Sequence, residues 1–179
     1  MERFPGHSRF RHAGIARRLV IAAVAALTLA VVAAVGMAAT LAPGPNGCPT
    51  NKSLKTAPIA DLAPPARTQI EAFDVLSGPI NDGTQTFTLK VRVGSTCSGI
   101  DIKGASVYVT AVPYNQFTIP DEELTGDDGT ATLVFRRDAN FPASDQQQQL
   151  TLFIRATKPG EDPLAGVSTR RLVAVPFEG

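Results

Sequence analysis

From residue 67 to the C-terminus, apolar and polar residues alternate with a period of two. Thr86 to Val93 shows this most plainly: Phe87, Leu89, Val91 and Val93 interleave with Thr86, Thr88, Lys90 and Arg92. Successive side chains of a strand point to opposite faces, so the pattern predicts one face in a core and the other in water. Val107, Val109 and Ala111 alternate in the same way with Ser106, Tyr108 and Thr110. Ala131, Leu133 and Phe135 do so against Thr130, Thr132 and Arg136, and Leu150, Leu152, Ile154 and Ala156 against Thr151, Arg155 and Thr157. Val173, Val175 and Phe177 close the chain, and Thr68 to Leu76 gives a weaker opening strand. Between them stand turn formers: Ser77-Gly78-Pro79, Asn81-Asp82-Gly83, Gly126-Asp127-Asp128-Gly129 and Lys158-Pro159-Gly160. Ser144 to Gln149 offers one helical turn at most. The expectation is an all-β domain over 67–179, an antiparallel β-sandwich of six to seven strands. Its core should hold Phe87, Leu89, Val91, Val107, Val109, Leu133, Phe135, Leu152, Ile154 and Val175. Gly129 should adopt a positive φ in its hairpin.

The first part of the chain follows a different rule. Leu19 to Ala42 runs for 24 residues without a charge, directly after Arg17-Arg18. As a helix it would be about 36 Å long, enough to cross a hydrocarbon layer of about 30 Å. The preceding tail, 1–18, holds Arg3, Arg9, Arg11, Arg17 and Arg18 against the single acid Glu2. That bias keeps the N-terminus in the cytoplasm and sends the remainder across. The expectation is one N-terminal transmembrane helix over 19–42, retained as a signal anchor in the cell membrane. A cleaved signal, and hence secretion, is the alternative, but secretory apolar regions run to about 7–15 residues. Pro43, Pro45, Pro49, Pro58, Pro64 and Pro65 mark 43–66 as an extended, Pro-rich spacer.

Charge and cysteine content narrow the function of the exported part. Of 17 Lys and Arg, five precede the apolar run, leaving 12; of 16 Asp and Glu one does, leaving 15, a balance near −3. Nucleic-acid binding calls for a basic patch, so it is not expected. Cys48 and Cys97 are the two cysteines, and an even pair in an oxidising compartment predicts a disulfide. His7 and His12 are the only histidines and both lie in the tail, so the exported part lacks the ligands for a four-coordinate zinc site. No metal or cofactor is expected.

Gly104-Ala105-Ser106-Val107-Tyr108-Val109, followed by Thr125-Gly126-Asp127-Asp128-Gly129-Thr130-Ala131-Thr132-Leu133, resembles bacterial Ig-like domains of the invasin type and the related carboxypeptidase-regulatory-like modules. The likeness spans 67–177 and implies an Ig-like sandwich. Its motifs are turn and core residues, so it implies little about activity.

Candidate chemistry is sparse. Nucleophilic catalysis needs a base beside the nucleophile, most often His, and the exported part has none. Asp121-Glu122-Glu123 and Asp127-Asp128 could offer oxygens to Ca²⁺, but their setting is that of turns. The loop Tyr114, Asn115, Gln116 and Phe117 is the candidate contact patch for a protein or glycan. Arg136-Arg137 and Arg170-Arg171 read as exposed strand positions facing acidic cross-strand partners. The reading is a non-catalytic, membrane-anchored, extracytoplasmic module with a structural or protein-interaction role at the cell envelope. The alternative is a carbohydrate-binding or hydrolytic accessory domain using the Tyr114 loop or the acidic turns.

Overall fold

The computed structural model describes residues 42–51, 53–97 and 99–178. The basic tail and almost all of the apolar run lie outside them; among the described residues no helix is long and apolar enough to cross a membrane. The domain is all-β, with ten strands among the described residues: β1 Thr56–Pro58, β2 Thr68–Val75, β3 Ile80–Asn81, β4 Thr86–Ser95, β5 Asp101–Lys103, β6 Ser106–Val112, β7 Glu123–Leu124, β8 Thr130–Arg136, β9 Gln149–Thr157 and β10 Thr169–Glu178. They form two five-stranded sheets in a sandwich-like arrangement. The first runs β1-β5-β4-β2 with β8 also paired to β4, and the second runs β3-β10-β9-β6-β7.

The six longest strands are the ones the alternation marks, and their apolar phase faces inward. Phe87, Leu89, Val91 and Val93 of β4 are buried, as are Leu133 and Phe135 of β8, Val107 and Val109 of β6, Leu152 and Ile154 of β9, and Val175 of β10. Every expected core residue is in that cluster. The strand count is higher than six or seven because β1, β3, β5 and β7 are two or three residues long. A period cannot be read from so few positions. The sandwich is also not purely antiparallel: β1 pairs parallel with β5, and β10 with β3.

The larger correction concerns 43–66, which is built into the domain and is not a spacer. Ala57 of β1 sits opposite Ile102 and is fully buried; Ile59, Leu62 and Ala66 join the same core. Pro58 is tolerated because β1 is an edge strand with one partner. Cys48 and Cys97 form the expected disulfide, Cα atoms 5.8 Å apart, at the end of β4. Beside it the Gly47 carbonyl accepts from the Ala63 amide at 3.0 Å. Gly47 has φ +76°, and a Cβ there would overlap the Ala63 carbonyl, so the leader can lie this close only at a glycine.

Candidate functional site

The loop after β6 carries the predicted contact residues, and the structure divides them. Tyr114 is 66% exposed and Asn115 is exposed with φ +67°, a conformation Asn tolerates better than most residues. Gln116 and Phe117 point the other way and are buried. The left-handed residue reverses the chain, so its two sides face opposite directions. Gln116 Nε2 donates to the Pro113 carbonyl at 3.0 Å, and the Gln116 carbonyl accepts from the Asp138 amide at 2.9 Å. Phe117 bridges to Arg137 and meets Phe87 edge-on at 4.9 Å. Gln116 and Phe117 therefore hold the loop, and only Tyr114 and Asn115 remain as contact groups.

Of the two acidic clusters, Asp121-Glu122-Glu123 follows the loop directly, with Asp121 and Glu123 lining a groove beside Thr118 and Arg136, and Asp127-Asp128 lies elsewhere. Phe117 and Thr118 meet the C-terminal end of β8, at Arg136 and Arg137, whereas Asp127 and Asp128 precede its first residue, Thr130. A seven-residue strand spans about 23 Å, so the loop and the turn sit at opposite ends of the sandwich and form no shared cleft. Three of the five acids, Glu122, Asp127 and Asp128, are also engaged. Asp127 pairs with Lys103 at 3.1 Å and Asp128 with Lys90 at 3.8 Å. Asp128 also accepts from the Thr130 hydroxyl at 2.7 Å and amide at 3.1 Å, and chiefly these bonds hold its pKa below the ordinary carboxylate value. Glu122 binds Arg155 at 2.9 Å and accepts from the Ser106 hydroxyl. Among the described residues no three His, Cys, Asp or Glu side chains converge as metal ligands. Gly129 closes the turn with φ +68°, as expected; a Cβ there would stand 2.7 Å from the Asp101 Cβ.

Among the described residues the arginine pairs find no acidic cross-strand partners. Arg137 donates to the carbonyls of Asp82 and Phe141 and lies 5.5 Å over the Phe141 ring, while Arg171 donates to the Ile70 carbonyl at 3.1 Å. Backbone carbonyls satisfy both guanidinium groups, two in the turn and loop at Asp82 and Phe141 and one on the edge strand β2 at Ile70.

One carboxylate is perturbed upward. Glu71 occupies the irregular step between Ile70 and Ala72 in the β2–β4 register. Burial raises its pKa above the ordinary 4.5 and Asp101 adds repulsion, against a lowering by Arg92. The native state therefore keeps this proton to higher pH than the unfolded chain does. The resulting stabilisation is complete below the unfolded value and is lost as pH rises through the raised one. Glu71→Gln should match the parent at low pH and become the more stable chain above that window. Urea midpoints of both chains across the acid range check this, and parallel curves would refute it.

Compared with known proteins, the chain matches no family model, no curated protein and no solved structure.

Proposed function

We propose that this chain is a membrane-anchored, extracytoplasmic module with an Ig-like β-sandwich, acting through contacts at the cell envelope and not through catalysis. The observation that carries the reading is the Cys48–Cys97 disulfide, made between a leader directly after the apolar run and the end of β4. Disulfides persist in oxidising compartments, so a cystine built into the fold supports export of everything after residue 42. The arginine-rich tail and the 24-residue run supply the anchor in this reading. Its non-catalytic character rests on the absence of His after residue 12 and on the engagement of Glu122, Asp127 and Asp128 with Lys, Arg and Thr. Tyr114 and Asn115 are the groups offered for contact from that rigid loop.

Topology is the test. The full chain should stay in the membrane pellet through alkaline carbonate and begin at Met1 by N-terminal sequencing. A protease added outside the cell should reach the β-domain. A chain starting between Ala39 and Pro43, or a β-domain protected inside the cytoplasm, would overturn the reading.

A further inference from the structure

β8 pairs with β4 on one side, through seven residues without a register shift, and its other side is an open edge. Val93 donates to the Gly129 carbonyl and Arg137 to the Gln85 carbonyl, so odd-numbered residues of β8 turn their N–H and C=O groups towards β4. Even-numbered residues turn theirs to the open side. There the Thr130 carbonyl accepts from the Gly126 amide, and Arg136 bonds Thr118 through both its N–H and its C=O. Thr132 and Val134, between these closures, have no main-chain partner on that side among the described residues. The cause is the path of the chain over 118–126. It leaves β8 at Thr118, crosses to the second sheet, where β7 pairs with β6, and returns to β8 only at Gly126. Between this crossing and β8 lies a groove of about 370 Å³. Ile119 and Val134, each more than half exposed, supply its apolar surface. Asp121 and Glu123 also line it and make no ion pair among the described residues; against the single Arg136 they leave it net negative. Of the other long strands at sheet margins, β2 carries the irregular step at Glu71 and β10 carries Pro176, which has no N–H. Both devices blunt edge pairing, and β8 has neither.

We propose that this edge takes an extended peptide of another protein as an added strand, antiparallel to β8, with a basic side chain between two β-branched ones. Extended peptides join sheet edges through main-chain hydrogen bonds, and their alternate side chains set specificity. The peptide residues opposite Thr132 and Val134 each exchange two N–H···O=C bonds with them. Their side chains share the outer face with Thr132 and Val134, both exposed, where β-branched neighbours pack well. The peptide residue between them lies beside Leu133, which points inward, so its side chain is directed at the crossing chain that carries Asp121 and Glu123. A Lys or Arg there meets two carboxylates, and an acid would be repelled. Closure of the edge at Thr118 and Gly126 limits main-chain pairing to this triplet, which selects a short linear segment over a long strand. The groove belongs to the β-domain alone, so binding there does not depend on the proposed anchoring.

The full-length chain in detergent micelles, titrated with the synthetic peptide Ser-Gly-Val-Lys-Val-Gly-Ser and followed by amide NMR, tests this. The expected result is saturable binding with the largest shifts at the Thr132 and Val134 amides. N-methylation of both peptide valines removes the two donors aimed at β8 and should weaken binding at least about tenfold. N-methylation of the lysine, whose N–H points away from β8, should be tolerated. The peptide with Glu in place of Lys should bind more weakly. Asp121→Asn combined with Glu123→Gln should erase that preference and flatten the salt dependence. Both acids are exposed, so this variant leaves the fold in place. Val134→Pro puts a residue without an N–H on the free edge and should abolish binding. Its urea midpoint shows whether the strand survives, and the two N-methylated peptides decide the matter where it does not. Absence of saturable binding, equal loss from both N-methylated forms, or shifts away from β8 would each overturn the proposal. So would a dimer that Val134→Pro dissolves in the absence of peptide, because the edge would then belong to a second copy.

Discussion

Replacing Phe87 by Ala is expected to lower the unfolding free energy by about 3–5 kcal/mol. Phe87 is 1% exposed, on the inward phase of β4. Its ring is stacked on Phe135 at 4.5 Å and meets Phe117 edge-on at 4.9 Å. Phe117 continues to Phe141 at 4.5 Å, and Phe141 to Phe177 at 5.4 Å. Five rings thus join β4, β8, the loop after β6, the 137–148 connection and β10. Each aromatic pair adds about 0.5–1.5 kcal/mol beyond area burial, so truncating a ring that makes two of them, as Phe87 does, exceeds a simple methylene loss. The urea midpoint should fall with an unchanged m-value, because the surface exposed on unfolding is nearly the same. Leu89→Ala is the control: Leu89 is equally buried on the same strand but makes none of these ring contacts. Both variants should be destabilised, but only Phe87→Ala should also speed proteolysis next to Tyr114, since it removes the ring on which Phe117 rests. A loss below about 1 kcal/mol would remove Phe87 from the core, given the usual range for buried Phe.

The strands legible in the sequence are those long enough to show a period. For β4, residues 86–93 contain four complete alternations, and the structure extends the strand only to Ser95. β5 is Asp101–Lys103, and its one inward residue, Ile102, has no repeat around it to mark it. The leader shows a different limit. Its prolines were sound evidence for extended backbone, and β1 is indeed extended. Whether an extended segment lies in water or in a core depends on its tertiary partners. Ala57, Ile59, Leu62 and Ala66 form no periodic pattern, so their burial in the core is not legible. The contact loop is legible only in part, for a related reason: composition marks Tyr114 to Phe117 as amphipathic but not where the chain reverses, and the reversal at Asn115 sends Gln116 and Phe117 inward. The second sheet's outer face did leave a trace. Phe153 and Leu172 occupy polar-phase positions and interrupt the alternation of β9 and β10.

Removing the disulfide should have the other large effect, and it should act mainly through the unfolded chain. Cys48 and Cys97 are 49 residues apart, and in the chain-entropy account a loop of that size contributes about 4 kcal/mol. The double variant Cys48→Ser/Cys97→Ser avoids a stray thiol and should lose about 2–5 kcal/mol, the range usual for small exported domains. The native leader keeps its other ties: the β1–β5 pairing, the buried Ile59 and Leu62, and the Ala63–Gly47 hydrogen bond. Amide exchange at Ile102 and Lys103 should therefore slow or quicken only in step with global stability, with no separate fast opening of β1. If β1 instead exchanges freely in the variant, the cystine holds the leader in the native state and the entropic account fails. Thiol labelling of the parent chain, denatured without reductant, should find no reactive cysteine; two reactive thiols in natively exported protein would refute the bond. Because the loss acts on the unfolded chain, amide protection should fall alike at the Gly129 end of the sandwich and at the Tyr114 end.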